Sequence, residues 1–210
     1  MPILRPHIKD SDQILGLWEI REDLNELLEA AKKWDYNVES QRSFKSEMKQ
    51  KQWLAARLLM HSMNPEIGRI HYRESGAPWL KEDYYISMSH SHERVALVLN
   101  KTHDVGIDIQ HFTSKISRIQ HKFASESELA NLGSVKREEK LTVLWCAKEA
   151  IYKKMKIDGL IFKAEIAVEP FHFENSGVLN SRVTHDDLTH SISLKYEILG
   201  DYTLVYTFNP

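Results

Sequence analysis

Cysteine is nearly absent from this sequence: Cys146 is the only one in 210 residues. A single cysteine excludes an intramolecular disulfide framework and a cysteine-rich metal cluster, and it fits a reducing compartment. Residues 1–7 contain no apolar core of signal-peptide length, and no apolar run elsewhere approaches the length of a membrane span. These absences predict a cytoplasmic protein that does not enter a membrane.

An excess of one charge is also lacking, because 28 basic residues face 30 acidic ones and the formal net charge is -2. A balanced chain has no global electrostatic attraction for nucleic acid or for an anionic membrane surface, so any anion site must be local. The composition, 42% apolar and 28% charged, is typical of a soluble globular protein. The chain is long enough to bury a core without metals or disulfides.

Hydrophobic periodicity in the first half predicts helices and strands in alternation. An apolar run predicts a strand over residues 14–20, and helical spacing predicts helices over 22–33 and 40–63, the second stopped by Asn64-Pro65. Gly76-Ala77-Pro78 predicts a turn. Residues 84–90 and 94–100 then have the pattern of paired strands, the second of them buried.

The second half begins with a short predicted strand over 105–110, followed by helices over 125–132 and 138–156. Three further strands are predicted over 162–168, 191–199 and 202–208, with Gly200-Asp201 as the turn between the last two. No linker or low-complexity tract separates the halves. The pattern indicates an α+β protein with two sheets.

Polar residues share one face of the strand at 105–110. Alternation sends Val105, Ile107 and Ile109 to one side and Gly106, Asp108 and Gln110 to the other. A carboxylate and an amide then lie side by side on one surface. The simpler interpretation is an edge strand that turns its polar residues toward water.

The helix at 138–156 carries a second set of reactive side chains. Trp145, Glu149 and Lys153 are four residues apart and form one row, while Lys148 lies on the adjoining side. The row offers a carboxylate for a divalent cation and an ammonium for a phosphate. The alternative is a surface Glu-Lys pair that stabilises the helix by roughly 0.2–0.5 kcal/mol.

A third set, Ser87-Met88-Ser89-His90-Ser91-His92, lies at the end of a predicted strand. A histidine in such a place is often a structural hydrogen-bonding residue, and the segment alone does not define a site.

Taken together, the motifs Gly-x-Pro, Ser-x-Ser-His, Gly-Ile-Asp-Ile and Trp-x-x-Lys-Glu-Ala-x-x-Lys occur in an order that resembles the Sfp-type 4'-phosphopantetheinyl transferases. The resemblance covers residues 42–153. It implies transfer of 4'-phosphopantetheine from coenzyme A to a serine of an apo acyl or peptidyl carrier protein, with magnesium, or manganese, as the cation. The alternative is a non-catalytic member that only binds coenzyme A or a carrier protein.

By this resemblance Asp108 and Glu149 bind the metal, which fits the preference of magnesium for one or two carboxylates plus phosphate and water. The resemblance also assigns contacts to coenzyme A, namely Lys153 to a phosphate, Ser89 and His90 to the nucleotide, and Lys51, with help from Arg57, to the 3'-phosphate. Glu128 matches a further acidic residue near the metal. Glu149 is the first candidate for the base that accepts the serine proton, and Glu128 is the second.

Two positions depart from the family pattern. Gln110 stands where many bacterial members have a glutamate, so it is a weak or water-replaced third ligand. Ala77 stands where a lysine is common, so a contact to coenzyme A is missing. The basic positions Arg42, Lys45, Lys49 and Lys51 attract an acidic carrier in one interpretation and form an ordinary solvated helix face in the other.

The resemblance implies a fold of two similar α/β halves, 1–104 and 105–210, each a small antiparallel sheet packed on helices. It relates the halves by pseudo-twofold symmetry, with the active site in the cleft between them, and it implies a monomer.

Overall fold

The computed structural model describes residues 8–10, 12–34, 36 and 44–208 of the chain. The chain divides into two compact units, Met1–Asp104 and Val105–Pro210. Each unit buries its own cluster of apolar side chains. In the part of the chain that the structure describes, no helix combines the length and the apolar character needed to cross a membrane.

Among its described residues, the N-terminal unit has two helices and six strands. The helices are α1 (Leu24–Lys33) and α2 (Glu47–Met63). The strands are β1 (Ile8–Asp10), β2 (Gln13–Glu19), β3 (His71–Tyr72), β4 (Pro78–Trp79), β5 (Tyr85–Ser91) and β6 (Arg94–Asn100). An antiparallel sheet has the order β1-β2-β6-β5, and β3 and β4 form a separate two-stranded ribbon. Helix α2 packs on β2 and β6, and α1 packs on α2. The apolar cluster of this unit includes Trp18, Leu27, Leu59 and Leu97.

Local sequence accounts for the ends of these helices. Asp23 caps α1 in a capping box, in which the Glu26 N–H donates to Asp23 Oδ1 and the Asp23 N–H donates to Glu26 Oε2, both at 2.9 Å. The N–H of Asn64 donates to the Met60 carbonyl at 3.0 Å, and the proline at 65 prevents the helix from continuing. The predicted end of α2 is therefore confirmed.

The predicted start of α2 at residue 40 is wrong. The helix begins at Glu47, Ser46 precedes it with extended backbone, and the Gln50 side chain donates to the Phe44 carbonyl at 2.8 Å. Residues 37–43, with the basic position Arg42, lie outside the described residues. The strands predicted over 14–20, 84–90 and 94–100 are confirmed within one residue as β2, β5 and β6. Gly76, with φ of +81°, closes the turn before β4.

Up to residue 208, where the described part of the chain ends, the C-terminal unit has four helices and five strands. The helices are α3 (Lys115–Phe123), α4 (Glu126–Asn131), α5 (Arg137–Met155) and α6 (Phe162–Glu165). The strands are β7 (Ile107–His111), β8 (Ile166–Val168), β9 (Ser176–His185), β10 (Leu188–Leu199) and β11 (Tyr202–Phe208). They form one antiparallel sheet in the order β7-β11-β10-β9-β8, and α5 packs against β7 and β11.

In this unit one prediction is wrong in part, and two elements, α3 and β9, were not predicted. Residues 162–165 form α6 rather than the first part of a strand, because the N–H groups of Ala164 and Glu165 donate to the Ile161 carbonyl. Strand β9 was not predicted. It joins β10 through a two-residue turn in which Asp186 and Asp187 have φ of 47° and 63°, and aspartate tolerates that left-handed backbone better than most residues.

The predicted mixed α and β class is confirmed in its coarse form. The pseudo-twofold relation between the halves stays a prediction.

Candidate active site

Strand β7 and helix α5 approach each other unusually closely at Gly106. A Cβ atom built on Gly106 would lie 1.7 Å from the Ala150 carbonyl oxygen and 3.1 Å from the Lys154 backbone nitrogen. Only glycine permits this approach, because any side chain would push the helix away. The contact fixes which face of the strand meets the helix, namely the face that carries the polar residues.

Asp108 lies on that face and is buried, with 6% of its surface exposed. Its Oδ1 accepts a hydrogen bond from Lys153 Nζ at 2.7 Å, and the same ammonium donates to the Ile107 carbonyl at 3.0 Å. Burial, together with the negative charge of Asp108, raises the pKa of the Cys146 thiol well above its ordinary value. β7 is an edge strand of the sheet, as the simpler interpretation requires, but Asp108 faces the helix and not water.

Glu149 is the second carboxylate of this cluster and is half-buried. Burial raises the pKa of Glu149 above its ordinary value, the negative charge of Asp108 raises it further, and Lys153 opposes both effects. The two carboxylates therefore lie close enough to repel each other. The row of Trp145, Glu149 and Lys153 is present, but Lys153 pairs with Asp108 across the strand-helix contact instead of forming a simple surface pair.

Lys148, the other basic residue of the motif, has 0% of its surface exposed. Its ammonium donates to Glu128 Oε2 at 2.8 Å, to the Phe162 carbonyl at 2.9 Å and to the Ile166 carbonyl at 2.7 Å. Burial lowers the pKa of Lys148, and the Glu128 carboxylate opposes that shift. Three acceptors satisfy the three N–H donors of the ammonium.

Both carboxylate oxygens of Glu128 accept hydrogen bonds. Besides Lys148, its Oε2 accepts from the Ser125 N–H at 2.8 Å, which completes the capping box of α4, and its Oε1 accepts from the Val168 N–H at 3.0 Å. The side chain is buried, with 7% exposed. These contacts tie α4 to α5 and β8, and they give Glu128 a structural task separate from the Asp108 and Glu149 pair.

Gln110 follows Asp108 by two residues and is half-buried. Its side-chain N–H donates to the adjacent His111 carbonyl at 3.3 Å. An amide in this arrangement keeps its carbonyl oxygen as the only atom suited to a cation.

The carboxylate pair suits a magnesium ion. Within residues 8–10, 12–34, 36 and 44–208, no group of three or more His, Cys, Asp and Glu side chains is arranged to hold a metal. Magnesium does not need such a group, because it commonly takes one or two carboxylates and completes its octahedron with water and substrate phosphates. The mutual repulsion of Asp108 and Glu149 is the unfavourable interaction that a divalent cation between them would relieve.

The two basic candidates of the N-terminal unit differ in their environment. Lys51 Nζ lies 3.3 Å from Glu47 Oε1 on the same helix, and 18% of the side chain is exposed. Arg57 is buried: its guanidinium carbon lies 3.3 Å from the Trp53 ring centroid, and it donates to the Trp53 carbonyl at 3.0 Å and to the Tyr72 hydroxyl at 3.4 Å. Burial lowers the pKa of Arg57. Lys51 is thus the more accessible cation.

Ser89 and His90 are neighbours on β5, so their side chains point to opposite faces. Ser89 is buried and His90 is exposed. Ala77 precedes β4 and supplies a methyl group where a lysine was expected from the family pattern.

Sequence reasoning missed Cys146 as a member of this cluster. A signal was present, because residues 146, 149, 150 and 153 have the spacing of one helix face. Cys146 and Ala150 are apolar enough to pass for core residues, and both do belong to the apolar cluster.

Comparison with known proteins shows that part of this chain is similar to one family. The model of the 4'-phosphopantetheinyl transferase superfamily matches residues 104–207. The chain is 30% identical over 114 residues to the 4'-phosphopantetheinyl transferase AcpT of Escherichia coli K12, and equally to that of Escherichia coli O157:H7. Each alignment covers 50% of this chain and 58% of the relative, so the match spans little more than half the length of these proteins.

Proposed function

Because this chain belongs to the 4'-phosphopantetheinyl transferase superfamily through residues 104–207, we propose that it transfers 4'-phosphopantetheine from coenzyme A to a serine of an apo acyl or peptidyl carrier protein. The observation that carries the proposal is the cluster of Asp108, Glu149 and Lys153 inside the matched region. It combines two repelling carboxylates with one ammonium on rigid elements.

In this proposal Asp108 and Glu149 hold a magnesium ion, and manganese is an acceptable substitute. When bound, the cation neutralises negative charge on the coenzyme A diphosphate. Gln110 is at most a weak third ligand through its carbonyl oxygen. Lys153 fixes the orientation of Asp108 through the 2.7 Å hydrogen bond and brings a positive charge to the surface that receives the phosphates.

The reaction joins the carrier serine oxygen to the β-phosphorus of coenzyme A and breaks the bond to 3',5'-ADP, which leaves. The serine hydroxyl must lose a proton, and we assign its acceptance to Glu149, directly or through water. Glu128, the second candidate, already accepts three hydrogen bonds from the protein, and we assign it to the fold.

We assign the remaining contacts to coenzyme A to Lys51, Ser89 and His90. Lys51 is the first choice for the 3'-phosphate, since Arg57 is buried between aromatic side chains and already donates to protein oxygens. We also propose that the protein acts as a monomer in the cytoplasm.

A second function is supported by two positions. Gln110 removes one negative charge from the predicted ligand set, and Ala77 removes a lysine. A protein that lacks these two charged side chains would bind coenzyme A or a carrier protein without transferring phosphopantetheine.

One experiment separates the two functions. Purified protein is incubated with coenzyme A, magnesium and several apo carrier proteins, and each carrier is weighed by mass spectrometry. A gain of one phosphopantetheine, lost with Asp108→Asn, supports the transferase. Binding of coenzyme A by calorimetry, with no mass gain on any carrier, supports the non-catalytic function and overturns the first proposal.

A further inference from the structure

Gln52 is a buried amide that links helix α2 to the turn between β5 and β6. Only 6% of its surface is exposed, and its side-chain N–H donates to the His92 carbonyl at 2.7 Å. Burying an amide is costly unless it is hydrogen bonded, so this contact is part of how the helix and the hairpin pack together. No part of the proposed reaction uses Gln52.

The turn that Gln52 contacts has a backbone conformation that is uncommon for residues other than glycine. Strand β5 ends at Ser91 and β6 begins at Arg94, so the turn between them has two residues. His92, the first of these, has φ of +50°, in the left-handed region where hairpin turns favour glycine. A residue with a side chain keeps this conformation when the surrounding contacts impose it.

Two donors from outside the hairpin hold the carbonyls of the turn. The Ile20 N–H donates to the Glu93 carbonyl at 2.6 Å, and the Gln52 amide donates to the His92 carbonyl. The first donor is backbone at the end of β2, and a change of side chain does not remove it. The second donor depends on the identity of one residue, so Gln52 is the side chain through which α2 fixes this turn.

We propose that Gln52 is a positioning residue that fixes the end of β5 against α2 for binding of the coenzyme A nucleotide. The inference rests on the proposed function, which assigns the nucleotide to Ser89 and His90 and the 3'-phosphate to Lys51. His90 lies two residues before the carbonyl that Gln52 holds, and Lys51 immediately precedes Gln52 on the helix. One hydrogen bond therefore joins the two elements that carry these contacts.

The position of this bond determines what its loss changes. Turn geometry sets the register and direction of the strands that it joins, so a relaxed turn would move the last residues of β5 relative to α2. Asp108 and Glu149, the proposed metal ligands, lie on other elements. Loss of the Gln52 donor should therefore weaken nucleotide binding and leave the chemical step unchanged.

The alternative is that Gln52 contributes to stability alone, and Gln50 is a matched control for that role. Gln50 lies on the same helix, and its side-chain N–H donates to the Phe44 carbonyl at 2.8 Å. Gln50→Leu and Gln52→Leu each remove one hydrogen bond from an amide side chain to a backbone carbonyl. Only Gln52→Leu removes a bond to the hairpin.

The first measurement is hydrogen exchange of the backbone amides in residues 91–94, without ligand. We expect Gln52→Leu to speed this exchange roughly threefold or more, because the turn loses one of its two outside donors. Gln50→Leu should exchange as the parent does in this segment. Unchanged exchange in Gln52→Leu, or an equal increase in both variants, overturns the inference. This readout needs neither metal nor activity.

The second measurement is the affinity for 3',5'-ADP by calorimetry, since this probe carries the nucleotide and the 3'-phosphate and cannot be transferred. We expect Gln52→Leu to weaken binding roughly three- to tenfold, and Gln50→Leu to bind as the parent does. In the carrier assay KM for coenzyme A should rise by the same factor, with kcat unchanged. Equal affinities of parent and Gln52→Leu, no binding by the parent, or a loss confined to kcat overturns the inference.

A rescue variant tests whether Gln52 acts through the turn. Glycine adopts φ of +50° without steric cost, so His92→Gly should let the turn keep its conformation without the Gln52 donor. We expect Gln52→Leu with His92→Gly to bind 3',5'-ADP more tightly than Gln52→Leu alone, and no recovery overturns the inference. If all variants behave as expected but no carrier gains mass, the transfer proposal fails while the role of Gln52 in nucleotide binding stands.

Discussion

Gly106 lies against the Ala150 carbonyl so closely that a Cβ atom at residue 106 would be 1.7 Å from that oxygen. The obstacle is helix backbone, which cannot rotate away as a side chain can. Strand β7 and helix α5 can meet at this spacing only with glycine at residue 106, and the proposed site is built across that contact.

Gly106→Ala should therefore displace β7 from α5. We expect a loss of unfolding free energy of at least roughly 1–3 kcal/mol from overpacking, together with weaker Mn²⁺ binding as Asp108 moves away from Glu149. Urea unfolding and metal titration measure the two effects. Gly68→Ala is the control, because its new Cβ would meet only the flexible end of the Glu82 side chain at 3.0 Å. Equal, small losses of unfolding free energy and of Mn²⁺ affinity in both variants would contradict the prediction.

Asp108→Asn and Glu149→Gln should each abolish phosphopantetheine transfer, since each removes half of the carboxylate pair. Gln110→Ala should reduce the transfer rate much less, because a neutral amide attracts the cation less strongly than a carboxylate does. The rate of carrier modification, followed by mass spectrometry, measures all three. Comparable losses of transfer rate in the three variants would refute this ranking.

Gln110→Glu should change the preference between magnesium and manganese. An unchanged preference would count against a position for Gln110 at the metal.

Lys148→Met should destabilise the protein by roughly 3–5 kcal/mol, because it leaves the Glu128 carboxylate buried without a partner charge. The double variant Lys148→Met with Glu128→Gln should lose less than the sum of the two single variants, since no unpaired charge remains. Urea unfolding tests both statements. Additive losses of unfolding free energy would show that the buried pair is not coupled.

The transfer rate of Glu128→Gln tests the structural role assigned to Glu128. If this variant keeps its rate when it is assayed well below its melting temperature, the structural assignment holds. A specific loss of rate in the folded variant would instead make Glu128 a base.

His185 and Glu165 should make stability depend on pH. His185 Nδ1 lies 2.6 Å from Glu165 Oε1. This hydrogen bond to Glu165 raises the pKa of His185 above 6.5. The pKa of Glu165 is lowered below 4.5, chiefly by the Ile161 N–H and then by His185. Because the pKa of His185 is raised in the folded state, its protonated form stabilises the fold fully below pH 6.5. That contribution disappears as pH rises through the folded-state pKa. A lowered carboxylate pKa stabilises it above pH 4.5.

The pair should therefore contribute most between about pH 4.5 and 6.5. The melting temperature of His185→Gln should fall furthest below that of the parent in this window, and the difference should shrink above it. His190→Gln, an exposed histidine on β10, is the control and should follow the parent at every pH. A difference that does not vary with pH would show that the pair carries no proton-linked stability.

Much of the fold was predictable because it depends on local signals. The apolar run in β6, the alternation in β10, the Asn64-Pro65 stop and the spacing along α5 all produced the expected elements. At residues 162–165 the prediction failed where a distant residue also contributes. Residues 162–165 turn into a short helix whose carbonyl at Phe162 receives the Lys148 ammonium, and no local pattern reports that partner.

The sequence by itself determined which chemical groups are available: Asp108 on one strand face, Glu149 and Lys153 in one helical row, and the motif order that indicates the family. Periodicity is a local property, so these placements follow from the chain alone. Only the tertiary structure decided how the groups are paired. It paired Lys153 with Asp108 and Lys148 with Glu128. Such pairings depend on how strand and helix pack across many intervening residues, and that packing follows from Gly106 and the buried core rather than from the charged residues themselves.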